Sequence, residues 1–189
     1  DVYKRQNLMK IGFHNSIEEI SKNEWNSLLN DINYPFLKHD FLQLLENTNC
    51  VGAKTGWIPL HISVSKDNSL LAAMPLYLKS HSQGEFVFDH SWANAFYQHG
   101  LDYYPKLVSS IPHTPASGPR FLIKEGENKK ELFEMIKEGV KNIAAKNNIS
   151  SWHILFPMEE EVDFYNNSNL SIRKNAQFIW FNKNFESFE

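Results

Sequence analysis

The sequence predicts an α/β (α+β) fold with a mixed, mostly antiparallel sheet flanked by helices. Three observations predict it: two adjacent apolar strands separated by a turn, a long amphipathic helix over 128–147, and short strands that alternate with helices along the chain. A length of 189 residues with 42% hydrophobic residues is enough for one domain with its own core.

The N-terminal part of the chain is predicted to contain one strand and two helices. Residues 10–13 form the short strand. Ser21 and Glu24 have the spacing of a capping box, which predicts that a helix through 25–29 begins after Ser21. Residues 41–45 favour a second helix, and the glycine-flanked stretch 52–56 favours a loop.

A β-hairpin is predicted next. Apolar and polar residues alternate over 60–65, as in a strand with one buried face, and 66–69 has the composition of a turn. Residues 70–78 are almost continuously apolar, which is typical of a strand covered on both faces. Pro75 cannot donate a backbone hydrogen bond, so it indicates a sheet edge or a bulge.

The second half of the chain begins with a long loop-rich stretch, 79–119, of the kind that often carries function. The elements predicted within and after it are a short strand at 85–88, a strand at 120–124, the long helix at 128–147, a strand at 152–156, a helix that begins at 159–161 and a last strand at 176–181.

Composition excludes several classes of function. The net charge of −3 gives no electrostatic reason to expect a DNA partner or binding to an anionic membrane. Cys50 is the single cysteine and cannot form an internal disulfide, and the longest apolar stretch is too short to insert across a bilayer. The first residues lack the apolar centre of a signal peptide, so a cytoplasmic location is expected.

Several long motifs carry a resemblance to a known family. They are MPLYLKSHSQGEFVFD at 74–89, SWANA at 91–95, GLDYYPKL at 100–107 and TPASGPR at 114–120, together with PFLKH at 35–39 and TGWIPLH at 55–61. Here the chain resembles a bacterial family of predicted N-acyltransferases that is related to FemAB and to the GNAT superfamily, and the similarity continues from about residue 25 to the end. The resemblance implies a GNAT-like fold and acyl transfer to an amine.

The same resemblance sets the expected domain organisation. Residues 1–8 fit no later pattern and are interpreted as a non-native leader, and 9–183 as the first of two GNAT-like domains. Residues 184–189 are interpreted as the truncated start of the next segment, so a missing C-terminal half of the same chain is an expected partner.

Acyl transfer to an amine needs a base for the ammonium proton, donors for the oxyanion and a site for the acyl donor. The candidate catalytic bases are Glu85 and Asp89, which would share a face of the predicted strand. His81 and His113 are alternative bases. Tyr104 is the candidate acid for the leaving group, with Tyr103 as the alternative. The candidate substrate-binding residues are Lys79, His81, Trp92, Tyr97, Lys106, Thr114 and Arg120. Each also has a structural interpretation, as an ion pair, a turn or a core residue. No metal site is predicted, because the spacing of His81, Asp89, His90 and His99 matches no zinc pattern.

The donor is left open between acyl-CoA and aminoacyl-tRNA. GNAT enzymes that use acetyl-CoA carry a glycine-rich loop before the main helix, whereas 123–128 has a single glycine and two acids. The leading hypothesis is an N-acyltransferase that acts on an amine of a small molecule, a peptide or a cell-wall precursor. The alternative is a non-catalytic half that binds substrate or scaffolds a catalytic half. Buried mutual pairs among the candidate residues would favour the alternative, and an open cleft would favour the enzyme.

Overall fold

The structure is a computed structural model that describes residues 8–30, 32–174, 176, 178, 180–184 and 187. Its strands are β1 (Lys10–His14), β2 (Trp57–Pro59), β3 (His61–Lys66), β4 (Ser69–Met74), β5 (Tyr77–Lys79), β6 (Lys106–Ser109), β7 (Leu122–Ile123) and β8 (Trp152–Ile154). Its helices are α1 (Lys22–Ser27), α2 (His39–Asn47), α3 (His90–Gln98), α4 (Lys129–Lys146) and α5 (Glu159–Asn167). The predicted mixed α/β class is confirmed.

The strands form two four-stranded sheets, in the orders β1-β3-β4-β7 and β2-β5-β6-β8. All neighbours are antiparallel except β6 and β8, which are parallel. The sheets meet where Leu60 N donates to Leu76 O at 2.8 Å, between the end of β2 and the start of β5. The consecutive strands β2 and β3 therefore run alongside β5 and β4, and both segments pass from one sheet into the other.

The predicted hairpin is present as β3 and β4, but two details of the prediction were wrong. The apolar run 70–78 is not one strand, because Pro75 lies at a break and β5 pairs in the other sheet. The polar face of β3 is also not exposed. His61 and Ser63 are 0% and 4% exposed, and the ring of Trp25 in α1 lies 6.1 Å from that of His61.

The helices begin close to the predicted residues, although one cap differs. Ser21 is the N-cap of α1, but its side chain makes no capping hydrogen bond. Glu24 Oε1 accepts from Leu70 N at 3.0 Å instead and thereby fastens α1 to β4. At α4, Asn128 is the N-cap, and Gly139 allows the helix to lie against the first sheet, since a Cβ there would be 3.1 Å from Ile11 Cγ2.

Three predicted elements between 79 and 181 need correction. Residues 85–88 form bends rather than a strand, and α3 and β6 occupy a stretch predicted to be irregular. Helix α3 buries Ala93 and little else, so it lacks the apolar periodicity that marks a packed helix. Of the last predicted strand, Gln177 and Ile179 lie outside the described residues, and the described positions of 176–181 are not in a strand.

The core is divided by the first sheet. One cluster packs α4 and α5 against one face through side chains such as Phe133 and Tyr165. A second packs α1 and α2 against the opposite side around Trp25 and Leu42. In the described part of the chain, no helix is long and apolar enough to cross a membrane.

Candidate active site

Four charged side chains meet in the second sheet and at the start of α3: Lys79, Glu85, Asp89 and Lys106, called here the charge cluster. Lys79 on β5 is the direct cross-strand partner of Lys106 on β6, which places both amines on the same face. Lys106 Nζ donates to Glu85 Oε2 at 2.7 Å and also to Asp89 Oδ2. All four residues are at most 1% exposed.

The ionisation of the charge cluster reflects burial and pairing. Burial lowers the pKa of Lys79 to about 8, although Glu85 opposes the shift. Burial raises the pKa of Glu85 more than the two lysines lower it. Burial also acts to raise the pKa of Asp89, but the hydrogen bond and charge of Lys106 outweigh it, so this pKa is lowered.

The contacts around the charge cluster seal it from solvent. Lys79 Nζ donates to Gln83 O at 3.0 Å and lies 3.8 Å from the centroid of the Trp57 ring. Arg173 Nη1 donates to Asp89 Oδ1 at 3.1 Å from the segment that follows α5. The ring of Tyr104 lies 5.9 Å from Lys106 Nζ. Asp89 is therefore held by two cations, whereas Glu85 pairs with Lys106 through one oxygen and its Oε1 is buried without a hydrogen-bond partner in the described part of the chain.

Six of the ten predicted site residues lie in or beside the charge cluster. Besides its four members, they are Tyr104 and His81, whose pKa is lowered by burial and by the charge of Lys79. Glu85 and Asp89 do share a partner, though through Lys106 and not through the face of a strand. The arrangement is one of buried mutual pairs and not an open cleft. The catalytic roles of Glu85, Asp89 and Tyr104 stay predictions.

The other four predicted residues are dispersed. Trp92 and Tyr97 lie on α3 with 54% and 53% of their surface exposed. Thr114 is half-buried in the loop between β6 and β7. Arg120 is fully buried near the end of the same loop, beneath a groove that the sequence did not predict.

This groove, called here the α5 groove, runs between β7, the first turn of α5 and the segment after α1. It consists of two adjoining cavities of about 240 and 220 Å³. Ile32, Pro119, Met158 and Glu160 line both cavities. The first cavity is also lined by Tyr34, Ser117, Gly118 and Glu159. The second is also lined by Leu28, Asn30, Phe121, Leu122, Ile123, Lys129 and Glu161.

Arg120 fixes the wall of the α5 groove. Its guanidinium donates to three backbone carbonyl oxygens, those of Leu155 (2.8 Å), Pro119 (3.1 Å) and Ala116 (2.6 Å). Tyr34 closes over this loop, because its hydroxyl donates to Ala116 O at 3.2 Å. The ring lies so near Gly118 that a Cβ there would be 2.2 Å from Tyr34 Cζ. Only glycine permits this approach.

Glu161 is the buried carboxyl of the α5 groove. It is 7% exposed, and its Oε2 accepts from Arg120 N at 3.3 Å. Burial raises its pKa, against the opposing charge of Lys129. One turn later, Tyr165 is 2% exposed, and its hydroxyl finds no hydrogen-bond partner in the described part of the chain. Burial raises the pKa of Tyr165, and the charge of Glu161 adds to the shift.

Sequence reasoning missed Glu161, because Glu159, Glu160 and Glu161 were interpreted only as the start of a helix. A signal was available. Three consecutive residues span about 200° of a helix, so one of the three acids can reach the face that packs on the core. Among the described residues, no group of three or more His, Cys, Asp or Glu side chains is placed to hold a metal ion.

The fold is that of GNAT acetyltransferases. The chain is similar to a ribosomal-protein-alanine N-acetyltransferase from Brucella melitensis biovar Abortus 2308, with a TM-score of 0.55, 12% identity and coverage of 92% of this chain and 100% of that one. It is similar to aminoglycoside N-acetyltransferase AAC(6')-Iy in complex with CoA, with a TM-score of 0.54, 10% identity and coverage of 96% and 98%. A possible acetyltransferase from Clostridium difficile 630 gives a TM-score of 0.53 at 12% identity, with coverage of 92% and 97%.

The family follows from the sequence match. Residues 16–189 match the FemAB-like family, which is described by peptidoglycan biosynthesis/recognition, and the chain belongs to this family. No curated protein sequence matches the chain. Membership and fold together support the N-acyltransferase function and do not favour the alternative of a non-catalytic half. The buried pairs of the charge cluster favour a structural role for those residues.

Proposed function

We propose that residues 9–183 form an acyltransferase domain that transfers an acyl or aminoacyl group to an amine in the α5 groove. The acceptor is a small molecule, a peptide or a cell-wall precursor. The acceptor class draws support from the family description of peptidoglycan biosynthesis/recognition. In this proposal the domain acts in the cytoplasm, with a C-terminal half of a longer protein as its partner.

One observation carries the proposal: Glu161 is a nearly buried carboxyl that lines an open groove. A general base works best when its pKa lies near the operating pH, and burial shifts the pKa of Glu161 in that direction. The two carboxylates of the charge cluster are bound to Lys106, so they are poorer acceptors for the proton of an ammonium group.

The lining of the α5 groove suits an amine on an apolar chain. Ile32, Tyr34 and Met158 provide apolar walls, and the carboxylates of Glu159 and Glu160 stand at the same opening. An ammonium ion is attracted to such a rim, and its chain gains by leaving water along the walls. The acceptor thus reaches Glu161 with its nitrogen foremost.

The proposed reaction is a direct transfer. Glu161 takes a proton from the ammonium ion, and the neutral nitrogen attacks the acyl carbonyl carbon. The bond from that carbon to the donor's sulfur or oxygen breaks, the nitrogen loses its second proton to the leaving group, and an amide forms. Arg120 acts as a positioning residue, because its backbone N–H and its three carbonyl contacts hold Glu161 and the loop 116–119 in place.

The test compares Glu161→Gln with the double variant Glu85→Gln/Asp89→Asn. Transfer to a panel of primary amines is measured from aminoacyl-tRNA and, in parallel, from acetyl-CoA. We expect Glu161→Gln to lower kcat by roughly 10²- to 10⁴-fold with little change in KM. Asp163→Asn is the matched control, because Asp163 is an exposed acid of the same helix that lines neither cavity, and it should retain the wild-type kcat.

Two results would reject this assignment of the base. One is a Glu161→Gln variant that is as active as wild type. The other is a folded Glu85→Gln/Asp89→Asn variant that has lost the chemical step while Glu161→Gln keeps it, because this outcome would restore the base role predicted from the sequence. Circular dichroism of each variant separates a loss of chemistry from a loss of fold.

A further inference from the structure

The cofactor implied by the fold can be compared with the residues present at the start of α4. A helix N-terminus binds pyrophosphate when its first backbone N–H groups are free and no acidic side chains stand in front of them. One of the GNAT-fold neighbours is described in complex with CoA. In this chain the loop 124–128 and the first turn of α4 are the segments that would hold the pyrophosphate of CoA.

The backbone donors of this helix end are partly taken. The side chain of Asn128 accepts from Glu131 N at 3.2 Å, so the cap itself occupies a donor that an anion would need. Glu127 N donates to Lys124 O at 3.2 Å and closes the turn before the helix. The single glycine of the loop, Gly126, has a φ of +83°, so the turn itself requires it.

The charges at this helix end also oppose an anion. Glu125, Glu127 and Glu131 are exposed in the loop and the first turn. Two lysines that could offset them are engaged elsewhere. Lys124 Nζ donates to Ser69 Oγ at 3.1 Å, and Lys129 Nζ lies 4.5 Å from the centroid of the Phe164 ring. Lys124 and Lys130 are both exposed, so their charges are screened by solvent.

The opposite wall of the groove adds more negative charge. Lys129 lines the same cavity as Glu160 and Glu161, so a pyrophosphate at the start of α4 would lie across the cavity from carboxyl groups. Like charges that line one cavity repel each other, so these carboxylates disfavour a bound pyrophosphate. The residues present therefore do not fit the pyrophosphate of CoA.

We infer that the N-terminus of α4 does not bind the pyrophosphate of CoA and that the acyl donor of this domain is one whose phosphates do not rest on this helix. The claim about the acyl donor rests on the proposed function, whereas the absence of CoA binding at α4 does not depend on it. The acidic side chains, the Asn128 cap and the contacts of the lysines all disfavour a bound anion at this helix end.

The test is calorimetric titration of CoA into the wild-type chain and into the triple variant Glu125→Gln/Glu127→Gln/Glu160→Gln, at low and at physiological salt. We expect wild type to show no saturable binding below about 1 mM. The triple variant should gain affinity by roughly tenfold or more, and salt should weaken that gain. Lys141→Gln, which lies on the far part of α4, is the control and should behave as wild type.

The inference is overturned if wild type binds CoA with a Kd below about 1 mM. If neither protein binds CoA, the inference holds, but the three acids are not what prevents binding. Failure of the proposed function gives a different result. In that case no amine is acylated from either donor, whatever the titration shows. Transfer from acetyl-CoA by the wild-type chain would retain the function and reject the inference.

Discussion

The charge cluster and the α5 groove are both rich in ionisable residues, but they use charge in opposite ways. In the charge cluster two cations and two acids are sealed from solvent and neutralise one another. In the α5 groove Glu160 and Glu161 line one open cavity together with Lys129, and Glu159 lines the adjoining one. Buried charges that are paired specify structure, whereas charges left at an opening are available to a ligand.

The largest effect on stability is expected from a substitution of Lys106 in the charge cluster. Lys106→Met leaves Glu85 and Asp89 buried without their shared partner, so we expect a loss of about 3–5 kcal/mol in the free energy of unfolding. Urea denaturation measures it, and Lys130→Met on the surface of α4 is the control. Addition of Glu85→Gln and Asp89→Asn to Lys106→Met should restore a large part of the loss. If the single variant is as stable as wild type, the charge cluster is not a structural unit.

The second prediction concerns Gly118, which lines the α5 groove and lies outside the charge cluster. Gly118→Ala places a Cβ against the Tyr34 ring, which must move, so we expect destabilisation of about 1–3 kcal/mol together with a distorted α5 groove. Transfer activity should fall more than stability explains. Gly100→Ala is the control for destabilisation away from the groove, because its added Cβ meets no atom within 4 Å but its φ of +71° disfavours alanine. Equal effects of both variants on activity would argue against a site in the groove.

Much of the fold could be predicted, because it depends on local pattern. Helix α4 has its apolar face and its Asn128 cap in consecutive residues, and the β3–β4 hairpin has its turn. Helix α3 and strand β6 could not be predicted in the same way. Their secondary structure depends on what packs beside them, since α3 buries one residue and β6 places a lysine inside the sheet.

The two candidate sites also differ in how far local sequence pattern could predict them. Glu85, Asp89, Tyr104 and Lys106 lie within about twenty residues of one another, so a motif-rich stretch identified them together. The α5 groove is assembled from segments near 32, 119 and 160, and no local pattern links these segments before the sheet is formed. The sequence could therefore predict which residues carry charge, but not which of them line a cavity.

The pH dependence of stability tests the sealed character of the charge cluster through its neighbour His153. Burial lowers the pKa of His153 to about 4, and Lys106 adds to this shift. Between pH 6.5 and 4 the unfolded chain binds a proton that the folded chain does not, so stability falls as the pH falls through this window. We expect His153 to account for about 1–2 kcal/mol of the loss between pH 7 and pH 4.5.

The measurement is the melting temperature of wild type and of His153→Gln across that pH range. Glu85 contributes with the opposite sign, because its raised pKa favours the folded state as the pH falls towards 4.5, so the difference between the two proteins isolates His153. Parallel curves for wild type and His153→Gln would mean that the imidazole is not held neutral by the fold.

The smallest effect on stability is expected in the groove. Glu159→Gln removes an exposed carboxylate from the first turn of α5, where the helix dipole favours it and its acidic neighbours disfavour it. These effects nearly cancel, so the free energy of unfolding should change by less than about 0.5 kcal/mol. The affinity for a cationic amine should nevertheless fall severalfold at low salt, and the difference should shrink as salt is added. A loss of stability without a loss of amine affinity would place Glu159 with the charge cluster, as a structural charge, because a ligand-binding charge is defined by the opposite pair of results.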